Sequence, residues 1–139
     1  MRTTYLLAAA ALSIGVAAAE AQPAGTRQAI APEAALHAID TNKDGTISLD
    51  EAKAAAEKRF TALDTDHEGT LDVRELMGTL SPEAAKRADK DRDGTLSQEE
   101  YLAVVEARFK AVDTNHDGTL DLQELRTPQG QGLLRLLQY

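Results

Sequence analysis

DTNKDGTISLDE (Asp40 to Glu51), DTDHEGTLDVRE (Asp64 to Glu75), DKDRDGTLSQEE (Asp89 to Glu100) and DTNHDGTLDLQE (Asp113 to Glu124) repeat one spacing of oxygen-bearing residues. Gly45, Gly69, Gly94 and Gly118 stand at position 6 of these twelve-residue stretches. A hard cation asks for such a pattern: several oxygens aimed at one point, a glycine where the chain must turn sharply, and a final glutamate that offers both carboxylate oxygens. In the first stretch the candidate donors are Asp40, Asn42, Asp44 and Glu51 through side chains, Thr46 through its carbonyl, and Ser48 directly or through water. The corresponding sets are Asp64, Asp66, Glu68, Thr70, Asp72 and Glu75; Asp89, Asp91, Asp93, Thr95, Ser97 and Glu100; and Asp113, Asn115, Asp117, Thr119, Asp121 and Glu124.

Acidic surface turns without a ligand would scatter their carboxylates. Here the ligand positions hold 3, 5, 4 and 4 carboxylates in chain order, 16 of the 23 acids in the sequence. The formal net charge of −8 therefore arises from concentrated negative charge at the loops and an excess of Lys and Arg elsewhere. Such loops are local cation traps rather than an acidic coat. With nothing bound, their carboxylates repel, so metal binding is expected to contribute folding free energy.

The twelve-residue stretches resemble the calcium-binding loop of the EF-hand superfamily, and each carries an aliphatic residue at position 8: Ile47, Leu71, Leu96 and Leu120. Ca²⁺ is the expected ion, with trivalent lanthanide ions as the alternative. The chain has no cysteine, nucleophile elbow or glycine-rich phosphate loop, and its carboxylates are committed to cations, so an enzyme is not expected. His67 and His116 fall at position 4, which points outward in such a loop, and His37 lies in the helix before the first loop, so solvated histidines are expected rather than a zinc site.

The loops start 24, 25 and 24 residues apart. That leaves room for one helix between neighbours where an ordinary EF-hand pair needs two. AKAAAEKRFTAL, between Glu51 and Asp64, places Ala56, Phe60 and Leu63 on one face. YLAVVEARFKAV, between Glu100 and Asp113, does the same with Leu102, Val105, Phe109 and Val112. Each is a helix shared by two loops, so the loops it joins lie at opposite ends. Between the second and third loops LMGTLSPEAAKRA differs: Gly78 stops an exit helix, and Ser81 and Pro82 suit the cap and first turn of a new one. The chain should reverse there, pairing the first loop with the fourth, Ile47 near Leu120, and the second with the third, Leu71 near Leu96. A short helix PEAALHAI leads into the first loop, and a tail helix after Thr127 and Pro128 carries Leu133, Leu134, Leu136 and Leu137 toward the core. The fold expected is all-α, with loops at the ends of a small helical core over residues 32–139.

Residues 1–21 read as a secretory signal: Arg2, an uncharged run from Tyr5 to Ala19, and Ala19-Glu20-Ala21 before Gln22. The run is shorter than the roughly 20 residues that usually span a bilayer. Residues 22–31 would form a linker, and the processed protein is expected in the periplasm or outside the cell, with no nucleic-acid or membrane contact, as a monomer. A calmodulin-like sensor fits less well. Met77 is the only methionine beyond the signal segment, and shared helices cannot open independently to form a groove. A metal buffer, carrier or switch is the main reading, and an adaptor showing a metal-ordered surface to a periplasmic protein partner is another.

Beyond the ligand positions, KDGTI, DGTL, the EYLAVVEARFKAV helix and the Glu-Leu-x-x-Pro tail make the chain similar to lanmodulins, small periplasmic EF-hand proteins of methylotrophic bacteria. That resemblance implies a three-helix core with peripheral metals, folding on metal binding, and preference for trivalent lanthanides over calcium. The chain departs from that family at loop position 2, where Thr41, Thr65, Lys90 and Thr114 replace proline. It departs again with Asn42 and Asn115 at position 3 and Ser48 and Ser97 at position 9, where the family has aspartate.

Overall fold

The computed structural model describes residues 30–138. The signal segment expected over residues 1–21 and nearly all of the linker expected over 22–31 lie outside the described residues. In chain order the elements are α1 (Pro32–Ile39), β1 (Ile47–Ser48), α2 (Leu49–Leu63), β2 (Thr70–Leu71), α3 (Pro82–Ala88), β3 (Leu96–Ser97), α4 (Gln98–Val112), β4 (Thr119–Leu120), α5 (Leu122–Leu125) and α6 (Pro128–Leu137). The fold is all-α apart from these two-residue strands. No helix among the described residues is long and apolar enough to cross a membrane.

The two long helices begin and end inside loops. Ser48 caps α2 by accepting from the Glu51 N–H, while the Glu51 carboxylate accepts the Ser48 N–H, so loop position 9 and position 12 form a capping box. Ser97 and Glu100 do the same for α4. Both helices then run through Ala, Glu, Lys and Arg, which lose little entropy in a helix. They stop at Asp64 and Asp113, the first residues of the next loops, whose backbone leaves the helical region.

Strand pairing fixes the direction of these helices. β1, just before α2, pairs antiparallel with β4, just after α4, with Ile47 opposite Leu120. β2, after α2, pairs with β3, before α4, with Leu71 opposite Leu96. The two helices therefore run antiparallel, with two loops at each end. All four position-8 residues are buried.

The core lies where α2, α4 and α6 meet. Ala56 and Phe60 of α2 face Tyr101, Val105, Phe109 and Val112 of α4, and α6 closes the third side with Leu133, Leu134, Leu136 and Leu137, all buried. Each such leucine contributes about 1.5–3 kcal/mol relative to exposure. Phe60 and Tyr101 meet edge to face, ring centroids 5.7 Å apart. The Tyr101 hydroxyl donates to the Leu136 carbonyl at 2.8 Å, which satisfies the one polar atom that this ring brings inside. Leu63 and Leu102 are only partly buried against this core.

One expectation is corrected. No helix leaves the second loop: Val73 to Leu80 forms turns, with single bonds from the Leu76 N–H to the Asp72 carbonyl and from the Leu80 N–H to the Leu76 carbonyl. Gly78, at φ +83°, comes three residues after Glu75 and breaks the ladder before a helix can propagate. Leu76 and Leu80 are nonetheless buried, so the segment is pinned at two points.

Candidate metal centres

Each loop is built on the same internal hydrogen bonds. Position 4, occupied by Lys43, His67, Arg92 and His116, is left-handed with φ between 58° and 62°. That conformation is uncommon outside glycine, and here it turns an exposed side chain away from the loop centre. The position-1 carboxylate then receives two backbone N–H groups. Asp40 accepts from Asp44 at 3.2 Å and Gly45 at 2.9 Å. Asp64 accepts from Glu68 and Gly69, Asp89 from Asp93 and Gly94, and Asp113 from Asp117 and Gly118, all within 3.2 Å.

The position-12 glutamate closes the loop from the other side. One oxygen of Glu51 accepts from the Thr41 N–H at 2.9 Å, and the other from the Ser48 N–H at 3.0 Å. Glu75 spans Thr65 and Asp72, Glu100 spans Lys90 and Ser97, and Glu124 spans Thr114 and Asp121 in the same way. Burial pushes the Glu51 carboxyl up, but bonds from Ser48, Asn42 and Thr41 outweigh it and hold the group at about 2. Glu75 and Glu100 are lowered by the same balance of burial against donated N–H groups. Every position-12 carboxylate is thus held in place by both ends of its loop.

The loops differ at positions 3 and 5. Asn42 donates its amide to Asp44 at 2.9 Å, and Asn115 donates to Asp117 at 2.9 Å, so a neutral group ties down the neighbouring carboxylate. In the second and third loops position 3 is Asp66 or Asp91, and carboxylates crowd instead. Asp64, Asp66 and Glu75 bring ligand oxygens within 4.8 Å of one another, as do Asp89, Asp91 and Asp93. The third loop shows the electrostatic result. Asp91 accepts the Asp93 N–H, which lowers its pKa, but desolvation, sharing with Asp89 and the charges of Asp93 and Glu100 raise it on balance.

Position 5 separates the second loop from the rest. Asp44, Asp93 and Asp117 each accept from both the N–H and the hydroxyl of the position-7 threonine, at 2.8 to 2.9 Å. The Thr46 hydroxyl is the largest influence lowering the Asp44 carboxyl, followed by the Thr46 N–H. No such bond joins Thr70 to Glu68 among the described residues.

Two features of the loops were missed in sequence. The hydroxyls of Thr41, Thr65 and Thr114 donate to the position-12 glutamate at 2.9 to 3.1 Å, and three of the position-7 threonines, Thr46, Thr95 and Thr119, brace position 5. The signal was present: threonine fills position 7 in every loop and position 2 in three of them.

Comparison with known families agrees with this geometry. The EF-hand domain pair family matches residues 53–126, and the EF hand family matches residues 33–53. The first match alone covers more than half of the 139 residues, and the chain belongs to the EF-hand family. Between them the two matches reach all four loops. No curated protein matches the chain.

Proposed function

We propose that all four loops bind metal and that the protein is an exported Ca²⁺-class binder whose folding is coupled to metal. The observation that carries this reading is the fourfold repetition of one scaffold, in which the position-1 carboxylate accepts the N–H groups of positions 5 and 6 and the position-12 carboxylate accepts those of positions 2 and 9. The donor set is all oxygen, as a hard cation requires, and the carboxylates at positions 1, 3, 5, 9 and 12 supply the charge. Asp40, Asn42, Asp44, Ser48 and Glu51, with the Thr46 carbonyl, would hold the first ion; the equivalent residues of the other loops would hold theirs. A bound cation supplies positive charge that offsets carboxylate repulsion. The helices shared between loops favour a buffer, carrier or whole-body switch over a sensor that opens a groove. The residues Ala19-Glu20-Ala21 support export to the periplasm.

A second reading, lanthanide preference of the lanmodulin kind, is favoured by one observation: the three-carboxylate clusters of the second and third loops, absent from the Asn-bearing loops among the described residues. Higher ligand charge favours a trivalent ion over Ca²⁺ of similar size. Titration of chelated protein with Ca²⁺ and then with terbium, followed by far-UV dichroism and calorimetry, tests both readings. Helicity should rise with metal, and stoichiometry should approach one ion per loop. Equal helicity with and without metal rejects coupled folding. Ordering by equimolar terbium but not by millimolar Ca²⁺ rejects the calcium reading in favour of the lanthanide one.

A further inference from the structure

A cavity of about 380 Å³ has none of the loop ligand residues in its walls. Its walls come from three segments: the turn over 78–81, the C-terminal half of α4, and α6. Arg108 enters from α4 and Arg135 from α6. Neither forms an ion pair among the described residues, although the chain carries a net charge of −8. Arg108 is partly anchored by one bond, from Nη1 to the Gly132 carbonyl at 2.8 Å. Burial presses its pKa down, and Arg135 adds like-charge repulsion.

Of the other polar side chains in the wall, Gln129 brings an amide that both donates and accepts, and Thr79 and Ser81 have hydroxyl protons to give. Thr79 is 6% exposed and its Oγ1 accepts from Arg59 at 3.3 Å, yet it donates to no described group. The Ser81 hydroxyl accepts from the Ala84 N–H and donates to no described group. No carboxylate lines the cavity. Two guanidinium groups, two free hydroxyl protons and no acid make a donor-rich pocket of ligand-binding size in an otherwise acidic protein.

We propose that this cavity is a binding site for a small oxyanion, a carboxylate or a tetrahedral sulfate- or phosphate-type group, held between Arg108 and Arg135 with Thr79 and Ser81 donating. Guanidinium groups suit either geometry through paired N–H donors. The site is independent of the loops' metal chemistry, and an occupant would join α4, α6 and the turn between the second and third loops.

The test uses the Ca²⁺-loaded full chain at constant ionic strength, with chloride replaced stepwise by sulfate in one arm and by acetate in the other. Amide NMR should show saturable shifts at Thr79, Ser81 and Gly132 in at least one arm, and the tighter arm identifies the tetrahedral or the carboxylate source. Arg135→Gln and Arg108→Gln should each weaken binding about tenfold or more, as loss of a charge-assisted bond implies. Lys53→Gln should leave it unchanged. If Arg108→Gln loses helicity, Arg135→Gln decides alone, since that side chain makes no described bond. Linear shifts spread over the surface, shifts confined to the metal loops, or unchanged affinity in Arg135→Gln would overturn the proposal.

Discussion

At the scale of single residues, threonine at loop position 2 gives this chain something that proline cannot. Thr41 donates twice to Glu51, from its N–H and from its hydroxyl, whereas proline has no N–H to give. Asp40, with φ −65° and ψ 93°, already lies in the extended region that a following proline demands, so Thr41→Pro should remove these bonds without breaking the chain path. In metal-free protein the Glu51 carboxyl, held at about 2, should move upward in Thr41→Val and further in Thr41→Pro. A carbon-detected NMR titration reads this directly; equal values in all three proteins would show that Thr41 does not hold the glutamate. The sign of the stability effect follows. Glu51 is depressed below its ordinary 4.5, so its contribution is complete above that value and fades as pH falls toward about 2. Chelated protein should lose thermal stability through that window, and Glu51→Gln should flatten the slope.

At the scale of elements, α6 is the strut that ties the fourth loop to the core. The position-12 residue Glu124 ends its loop on a carbonyl that accepts from the Thr127 hydroxyl at 2.6 Å, and Thr127 in turn caps α6 through the Gly130 N–H. Gly130 is needed there for space: a Cβ would lie 2.3 Å from the Glu124 carbonyl oxygen and 2.6 Å from the Leu125 Cα. Backbone must move to admit it, so Gly130→Ala should cost about 1–3 kcal/mol and disturb the fourth loop before the others. Gly132 offers the contrast, since a Cβ there meets only the Arg108 guanidinium at 3.6 Å. Gly132→Ala should be neutral or stabilise by up to about 1 kcal/mol through helix propensity. Urea unfolding of the Ca²⁺-loaded variants separates the two, and a cost for Gly132→Ala as large as that for Gly130→Ala would refute this account of the packing. The elements themselves were legible because loop spacing leaves one helix between neighbours and leucines mark one face of the tail. The Gly130 contact was not legible, because it depends on how α5 turns into α6, a tertiary approach that leaves no periodic trace. The exit helix expected after the second loop fails because Gly78, read as the stop of that helix, comes only three residues after Glu75, before a ladder can propagate.

At the scale of the molecule, two loops sit at each end of a pair of antiparallel helices, and the ends differ in charge. The end holding the second and third loops carries both three-carboxylate clusters; at the other end Asn42 and Asn115 neutralise the equivalent position. The first and second loops, and likewise the third and fourth, are separated by helices of 15 residues, about 22 Å, whereas loops at one end share strand hydrogen bonds through Ile47 and Leu120 or Leu71 and Leu96. Groups in direct contact couple by about 0.5–3 kcal/mol, while distant ones act independently within about 0.5 kcal/mol. Weakening the first loop should therefore lower affinity at the fourth by more than about twofold, up to about a hundredfold, and leave the second within about twofold. Glu51→Gln alone is an ambiguous probe, because Glu51 also belongs to the box that caps α2 and its loss can fray the helix leading to the second loop. Asp40→Asn avoids this, since the Asp40 side chain accepts only from the Asp44 and Gly45 N–H groups of its own loop and an amide oxygen can still accept one of them. Site-resolved NMR titration with Ca²⁺ should show both variants shifting the fourth loop's midpoint. A larger shift at the second loop in Asp40→Asn would mean that coupling runs along the helix rather than across the strands.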